Sequence, residues 1–222
     1  MTDKPFLLRF ISMLFGLILY ALGIVITINA NIGYAPWDVF HVGLSHTIGI
    51  SIGLVSIGVG MLIAGIVMLL GEKLGFGTFS NMVIIGPVID LLFFLKIIPV
   101  AKNIFIGIPM LIAGLFIISL GSYFYIRAGF GVGPRDNLMV VLSRKTKMPV
   151  GLCRSIVELL ATFGGWLLGG MVGIGTVISI LGIGFCIQLT FRIFKFDVKK
   201  IKHETMLDTL KRLKRKNVIS NE

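Results

Sequence analysis

The chain repeats itself at an offset of 98 residues. Segment 33–38 (GYAPWD) aligns with segment 131–136 (GVGPRD), and segment 75–78 (GFGT) aligns with segment 173–176 (GIGT), with no gap between the two matches. Both copies are strongly apolar: charged residues make up 14% of the chain, against about 25% in soluble domains. A duplicated apolar unit predicts a membrane protein with two equivalent halves, and such halves are common in solute transporters.

Apolar segment lengths predict how often the chain crosses the membrane. A helix of about 20 apolar residues crosses a hydrocarbon core of about 30 Å. Six long helices are predicted, at about 7–28, 52–71, 79–98, 104–126, 150–169 and 176–194. Two shorter segments, 36–47 and 134–145, are too short to cross and are interpreted as re-entrant or interfacial half-helices. The predicted fold class is therefore an all-α membrane protein with six transmembrane helices.

The distribution of Lys and Arg predicts the topology. Loop 29–51 has no Lys or Arg, whereas its duplicate 127–149 has five. Opposite charge bias in equivalent loops indicates opposite sides of the membrane, because Lys and Arg concentrate on the cytoplasmic side. We therefore expect two inverted three-helix repeats, about 7–98 and 104–194, each with a short half-helix.

A rival topology lets both half-helices cross, which gives eight spans and two parallel copies. It accounts better for Lys96 and Lys102, which lie outside in the six-span topology. However, it needs spans of about a dozen residues, which is short for a membrane helix. The six-span topology is favoured, with the N- and C-termini cytoplasmic.

The net charge of +11 does not indicate a nucleic-acid partner. Nine of the 21 Lys and Arg lie in the last 28 residues, and clusters beside apolar spans are the usual cytoplasmic signature. We interpret 1–194 as the polytopic membrane domain and 195–222 as a basic cytoplasmic tail. The bilayer is the first expected partner, and the tail is expected to contact anionic lipids of the inner leaflet.

The motif G-x-x-P-x-D occurs at equivalent positions in both copies. Glycine permits a tight turn, proline fits the first turn of a helix, and aspartate is favourable near the positive helix end. A helix start after a turn is one interpretation; a broken-helix solute site is the other. The variable position is Trp37 in one copy and Arg135 in the other, which favours opposite membrane interfaces over a shared solute site. The motif residues are Gly33, Pro36, Asp38, Gly131, Pro134 and Asp136.

Four polar residues fall inside predicted spans. Asp90 lies about 12 residues into the third span, which places it roughly 18 Å deep, and Gln188 is its repeat partner. Arg154 precedes Glu158 by four residues, so the two side chains share a helix face. Ionisable groups inside a membrane are candidates for a substrate or ion path. The alternatives are a structural Arg154–Glu158 ion pair and a protonated, hydrogen-bonded Asp90.

No signature of an enzyme, a cofactor or a metal site is present. The chain lacks HExxH, Walker and GxSxG motifs and any metal-binding cluster. Cys153 and Cys186 form no CxxC pair and are expected to be reduced packing residues. The protein is therefore not expected to be an enzyme.

The combined motifs resemble those of the bacterial YczE/YyaS/YitT family of integral membrane proteins. The resemblance is carried by the two G-x-x-P-x-D segments, by the SRKT sequence after the second, and by the late GIGT, and it extends from about Phe10 to Phe194. It implies a multi-pass protein of the bacterial plasma membrane and no particular reaction.

Three functions are compatible with the sequence. The leading one is a small-solute permease or transporter with its path between the repeats. The alternative is a non-transporting scaffold, assembly factor or regulatory subunit of a larger membrane complex. The third is the solute-binding subunit of a larger transporter, because six spans is small for complete alternating access without a homodimer or a partner membrane protein. The analogy of duplicated halves supports transport, and the polar set Asp90, Glu158 and Gln188 favours it as well. Finding these side chains dispersed toward lipid, or in dry pairs without a cavity, would favour the scaffold.

Overall fold

The computed structural model describes residues 5–197, 201, 204 and 206. Within that part of the chain all regular structure is helical, in eight helices. In chain order they are α1 (Phe6–Asn29), α2 (Pro36–Ile48), α3 (Ile52–Leu69), α4 (Phe76–Leu95), α5 (Ile104–Arg127), α6 (Pro134–Thr146), α7 (Val150–Leu167) and α8 (Ile174–Ile193).

Six of these helices are long and apolar enough to cross a membrane: α1, α3, α4, α5, α7 and α8. The predicted all-α fold with six spans is confirmed, and every long helix begins and ends within three residues of its predicted bounds. The short helices α2 and α6 have 13 residues each and match the two predicted half-helices. Each begins at a proline, whose missing N–H needs no partner in a first turn.

Helices α1 and α5 form the centre of the bundle and run antiparallel. The Arg9 Nε atom donates to the Ala128 carbonyl, near the start of α1 and the end of α5. At the other end, a Cβ added to Gly107 would lie 2.6 Å from the Ala30 carbonyl oxygen. We call these two ends of the bundle the Arg9 end and the Asn29 end.

Equivalent residues of the two halves exchange contacts. Gly16 of α1 packs against Gly121 of α5, and Gly23 of α1 packs against Gly114 of α5. Because Gly114 corresponds to Gly16 and Gly121 to Gly23, the two contacts are the same contact with the halves interchanged. The loops do the same: Gly175 N donates to the Ile32 carbonyl and Gly77 N donates to the Phe130 carbonyl, both at 2.7 Å. Reciprocal contacts of this kind are those that a two-fold relation between two units produces.

The halves also interlock through their half-helices. Helix α2 packs on α7 of the other half, and α6 packs on α3. Gly33 and Gly131 begin the turns that lead into α2 and α6, with φ of +113° and +111°. Glycine tolerates this backbone region, whereas other residues rarely adopt it.

One contact breaks the equivalence of the halves. Helix α3 packs closely along α4. The corresponding helices of the second half, α7 and α8, have no comparable packing against each other. Helix α7 is held by α2 and α6 instead. The gap between α7 and α8 opens the bundle on one side.

Part of the predicted tail lies against the Arg9 end. Glu204 Oε1 forms an ion pair with Arg9 Nη1 at 2.6 Å, and Glu204 N donates to the Gly129 carbonyl. Met206 N donates to the Leu74 carbonyl. These contacts join the tail to both halves, while the rest of the predicted tail, including its lipid contact, falls outside the described residues.

Candidate functional site

A cavity lies between the two halves, where α2 and α6 begin. It has two adjoining lobes of about 80 Å³ and about 300 Å³. Both lobes share a wall formed by Tyr20 of α1, Trp37 of α2, Arg135 of α6 and Arg154 and Glu158 of α7. Much of the remaining lining is aliphatic, from Ile24, Leu115, Ile118, Ile180, Ile183 and Ile187.

Trp37 and Arg135, which are equivalent in the repeat, lie against each other in this cavity. The Arg135 guanidinium carbon is 4.8 Å from the Trp37 ring centroid, a cation–π arrangement. This differs from the expectation of opposite membrane interfaces. The two residues meet because α2 and α6 both begin at this cavity.

His41 completes the setting of Arg135. Arg135 Nη2 lies 3.1 Å from His41 Nε2 and donates to it when that nitrogen is unprotonated. His41 is 2% exposed and follows Trp37 by one helical turn, so both contact the same guanidinium. Sequence reasoning missed this role, although the four-residue spacing of Trp37 and His41 on a half-helix was a usable signal.

Arg154 and Glu158 lie together on α7 at the edge of the cavity. Arg154 Nε donates to Glu158 Oε1 at 2.8 Å, so the structure contains the expected i,i+4 pair. The Glu158 side chain is 12% exposed and the Arg154 side chain 39%. Because both residues also line the two lobes, the pair is not isolated from the cavity.

The two motif aspartates also border the cavity. Asp38 is buried at the start of α2, and Asp136 is exposed to the larger lobe at the start of α6. Burial raises the pKa of Asp38 to about 6, and the Arg135 guanidinium opposes the shift. Of the other motif residues, Pro36 and Pro134 line the cavity, and Gly33 and Gly131 form the turns before them.

Asp90 lies away from the cavity. Its Oδ2 accepts from Ser51 Oγ at 2.5 Å and its Oδ1 accepts from Gly53 N at 2.8 Å, at the start of α3. It lies five residues before the end of α4 at Leu95, roughly 8 Å along the axis. It therefore lies nearer to the end of α4 than predicted, because α4 ends at Leu95, three residues before the predicted end.

Gln188, the repeat partner of Asp90, is exposed on α8 and lies outside the cavity lining. The Asp90 contact is not duplicated because the counterpart of Ser51 is Pro149, which has no hydroxyl, and because α7 and α8 are apart. The structure therefore brings together Arg154, Glu158, Asp38 and Asp136, and leaves Asp90 and Gln188 elsewhere.

We expect Asp90→Ala to lower stability without affecting the cavity. Losing two hydrogen bonds to a carboxylate at the start of α3 should reduce the free energy of unfolding by about 1–3 kcal/mol. Gln188→Ala, at an exposed position, should change it by less than about 0.5 kcal/mol. Melting temperatures of the purified variants, with and without a bound solute, measure both effects. A folded Asp90→Ala protein that no longer responds to the solute would place Asp90 on the path after all.

Comparison with known proteins decides the family. Residues 7–192 match the model of a family of unknown function, DUF6198. The chain belongs to the DUF6198 family. The match covers all six spans and both half-helices, so the fold and the cavity lie within the family domain.

Three relatives match most of this DUF6198 protein. The chain is 35% identical to the uncharacterized membrane protein YczE of Bacillus subtilis (strain 168), over 84% of this chain and 87% of that protein. It is 29% identical to an uncharacterized protein of Haemophilus influenzae, over 82% of each chain, and 29% identical to the uncharacterized protein YyaS of B. subtilis, over 74% of this chain and 83% of YyaS. The resemblance to the YczE and YyaS family is thus confirmed. No solved structure matches the chain.

Proposed function

We propose that this DUF6198 protein is a small-solute permease whose path passes through the cavity between its halves. The observation that carries the proposal is the cavity of about 300 Å³ inside an apolar bundle, lined by Arg135, Asp136, Arg154 and Glu158. A charged group at the bilayer centre costs about 2.5–3.5 kcal/mol on insertion scales, so such groups usually mark solute or ion pathways. Two half-helices that begin at one cavity are also a common arrangement in transporters.

We infer that the halves are inverted repeats and that the Arg9 end faces the cytoplasm. The antiparallel course of α1 and α5 and the exchanged contacts of their glycines support the inversion. The charges support the orientation, because loop 127–149, which carries five Lys and Arg, begins at the Arg9 end. In this orientation both termini are cytoplasmic in a bacterial plasma membrane.

The cavity extends toward the Arg9 end. Tyr125 and Ile126, near the end of α5, line its larger lobe. Their counterparts Thr27 and Ile28, near the end of α1, are 0% and 6% exposed and do not line it. This difference supports a conformation that is closed at the Asn29 end and faces the cytoplasm.

The unequal packing of the halves supplies a mechanism for alternating access. Exchanging the conformations of the two halves would close α7 on α8 and separate α3 from α4. In an inverted pair, this exchange moves the opening of the cavity to the other side of the membrane. During transport, each half would then adopt only the conformation that the other half already has.

A second function keeps specific support. Helix α7 is the least buried span, with 17% of its apolar window buried, and it exposes Leu159, Leu160 and Phe163. Such a face suits a second copy of the chain or a partner membrane protein. A scaffold or regulatory subunit, or a solute-binding subunit of a larger transporter, would use this face and would not require the α3–α4 movement.

The first test is solute binding to the purified protein. A solute at a hundredfold excess over its Kd stabilises the folded state by about 2.7 kcal/mol. We expect a hit from a broad panel, with the affinity changed at least about tenfold in Glu158→Gln, because the substitution removes one charge of the cavity wall and leaves Arg154 without its partner. The same solute should enter proteoliposomes that contain the wild-type protein.

The chain offers a matched control for that test. Arg144 and Glu72 form an ion pair at 2.6 Å outside the cavity, so Glu72→Gln makes the same chemical change at an unrelated place. It should leave both binding and flux near wild type. A well-folded protein with no hit, no flux and a co-purifying membrane protein would instead support the scaffold.

A further inference from the structure

The charges of the larger lobe are the starting point. Arg135 and Asp136 both face this lobe, and among the described residues neither forms an ion pair within 4.0 Å. Arg154 and Glu158 neutralise each other, whereas the direct contacts of Arg135 are the His41 ring nitrogen and the face of Trp37, with the Asp38 and Asp136 carboxylates farther away. One cation and one carboxylate therefore face the same lobe without a direct ion pair.

The helix starts add backbone donors beside Arg135. Among the described residues, no side chain caps the first turn of α2 or of α6. The first N–H groups of a helix lack partners within the helix and attract negative groups. The end of the cavity that holds Arg135 is therefore suited to a carboxylate.

Buried polar atoms beside the cavity give independent support for a ligand. In the part of the chain that the structure describes, Ser179 Oγ, Tyr125 Oη and Trp37 Nε1 are buried without a hydrogen-bond partner. Ser179 is 1% exposed and Tyr125 3% exposed, and all three residues line the cavity. Because buried polar groups are nearly always paired with protein, ordered water or a ligand, these three groups mark positions beside the cavity where a bound molecule completes their hydrogen bonds.

We propose that the cavity binds a small zwitterion of amino-acid size, which carries a carboxylate and an ammonium group. The carboxylate lies at the Arg135 guanidinium, and the ammonium lies at Asp136 beside it. The isoleucines of the lining accommodate an apolar side chain, and a volume of about 300 Å³ is at the lower end of ligand pockets. This inference rests on the proposed function and names the substrate class of that site.

The test compares a zwitterion with its two halves. Purified full-length protein is titrated with the twenty L-amino acids, and each one that binds is compared with the acid that lacks its ammonium group and the amine that lacks its carboxylate. For leucine these are isocaproate and isoamylamine. We expect at least one amino acid to bind at least about tenfold more tightly than either analogue, because each lost charge leaves one cavity charge unpaired.

Two variants test the assignment of each end. In Arg135→Gln the amino acid should bind no more tightly than its amine, and in Asp136→Asn no more tightly than its acid. Arg144→Gln, the same change outside the cavity, should behave as wild type. If either variant does not fold, the analogue comparison on the wild-type protein still decides the ligand class.

The outcomes separate this inference from the proposed function. An acid that binds as tightly as its amino acid would overturn the zwitterion and leave an anion permease. Binding and flux of a neutral or cationic solute, with no response to amino acids, would also overturn it while the permease stands. A folded protein that binds and moves nothing would overturn both.

Discussion

Gly16→Val should destabilise the protein by about 3 kcal/mol or more, because overpacking at a close helix crossing forces the backbones apart. A Cβ at Gly16 would lie 2.5 Å from Tyr125 N and 2.7 Å from the Gly121 carbonyl oxygen. Both atoms belong to the backbone of α5, which cannot yield as a flexible side chain would. Since α1 and α5 join the two halves, the effect should extend to the whole bundle.

Thermal unfolding in detergent measures the change. For a chain of this length 3 kcal/mol corresponds to roughly 6–12 °C in melting temperature, or to loss of the monodisperse protein. Gly121→Val should have a similar effect, because a Cβ there would lie 2.7 Å from the Gly16 carbonyl oxygen. Equal effects are expected because the two positions lie at the same crossing.

Gly65→Val is the matched control. It places the same side chain on span α3, four residues before the helix ends at Leu69, where an added Cβ meets no atom within 4 Å. Its stability should remain within about 0.5 kcal/mol of wild type. If Gly16→Val and Gly65→Val have the same melting temperature, the close packing of α1 on α5 is wrong, and so is the central position of these helices.

The helices were predictable from the sequence because their signals are local. Span length follows from apolar run length, and the starts of α2 and α6 follow from Pro36 and Pro134. Periodicity fixes a helix start only to within a few residues. For α4 a three-residue error was enough to place Asp90 nearer to the middle of the helix than it lies.

The site was less predictable because its contacts join distant parts of the chain. The pair Arg154–Glu158 was accessible, since its residues are one helical turn apart. The contact of Arg135 with Trp37 and His41 was not, because it depends on how α2 and α6, which are far apart in the chain, are placed beside one cavity. The contact of Asp90 was unpredictable for the same reason. Its partner Ser51 lies just before α3, and no residue near Asp90 in the sequence indicates the contact.

Positions that differ between the two copies of the repeat show how the halves differ in role. Ser56 and Gly60 of α3 correspond to Arg154 and Glu158 of α7, so the charged pair exists in one half only. Helix α3 packs along α4 because Gly60 has no side chain and leaves room for Met82 of α4. At the corresponding position of α7, the Glu158 side chain lines the cavity. The two halves therefore share a fold while one of them supplies the charged pair.

Locking α3 to α4 should stop transport. The Cβ of a residue at position 60 would lie 3.6 Å from the Met82 Cβ, within the range of about 3.5–4.5 Å that a disulfide requires. In a protein with Cys153 and Cys186 replaced by alanine, Gly60→Cys with Met82→Cys should therefore cross-link on oxidation. If access alternates by exchange of the two halves, flux should fall at least about tenfold and return with a reductant, because the locked half cannot open.

The counterpart positions supply the complementary measurement. Glu158 and Ile180 correspond to Gly60 and Met82, and they line the smaller lobe from α7 and α8, which are apart. Glu158→Cys with Ile180→Cys should cross-link only when α7 has closed on α8. Its disulfide should therefore form much more slowly than that of Gly60→Cys with Met82→Cys. Each single cysteine should be insensitive to oxidant. Undiminished flux through a fully cross-linked α3–α4 pair would rule out the exchange of halves, and the solute would then have to pass by a movement of α7 alone.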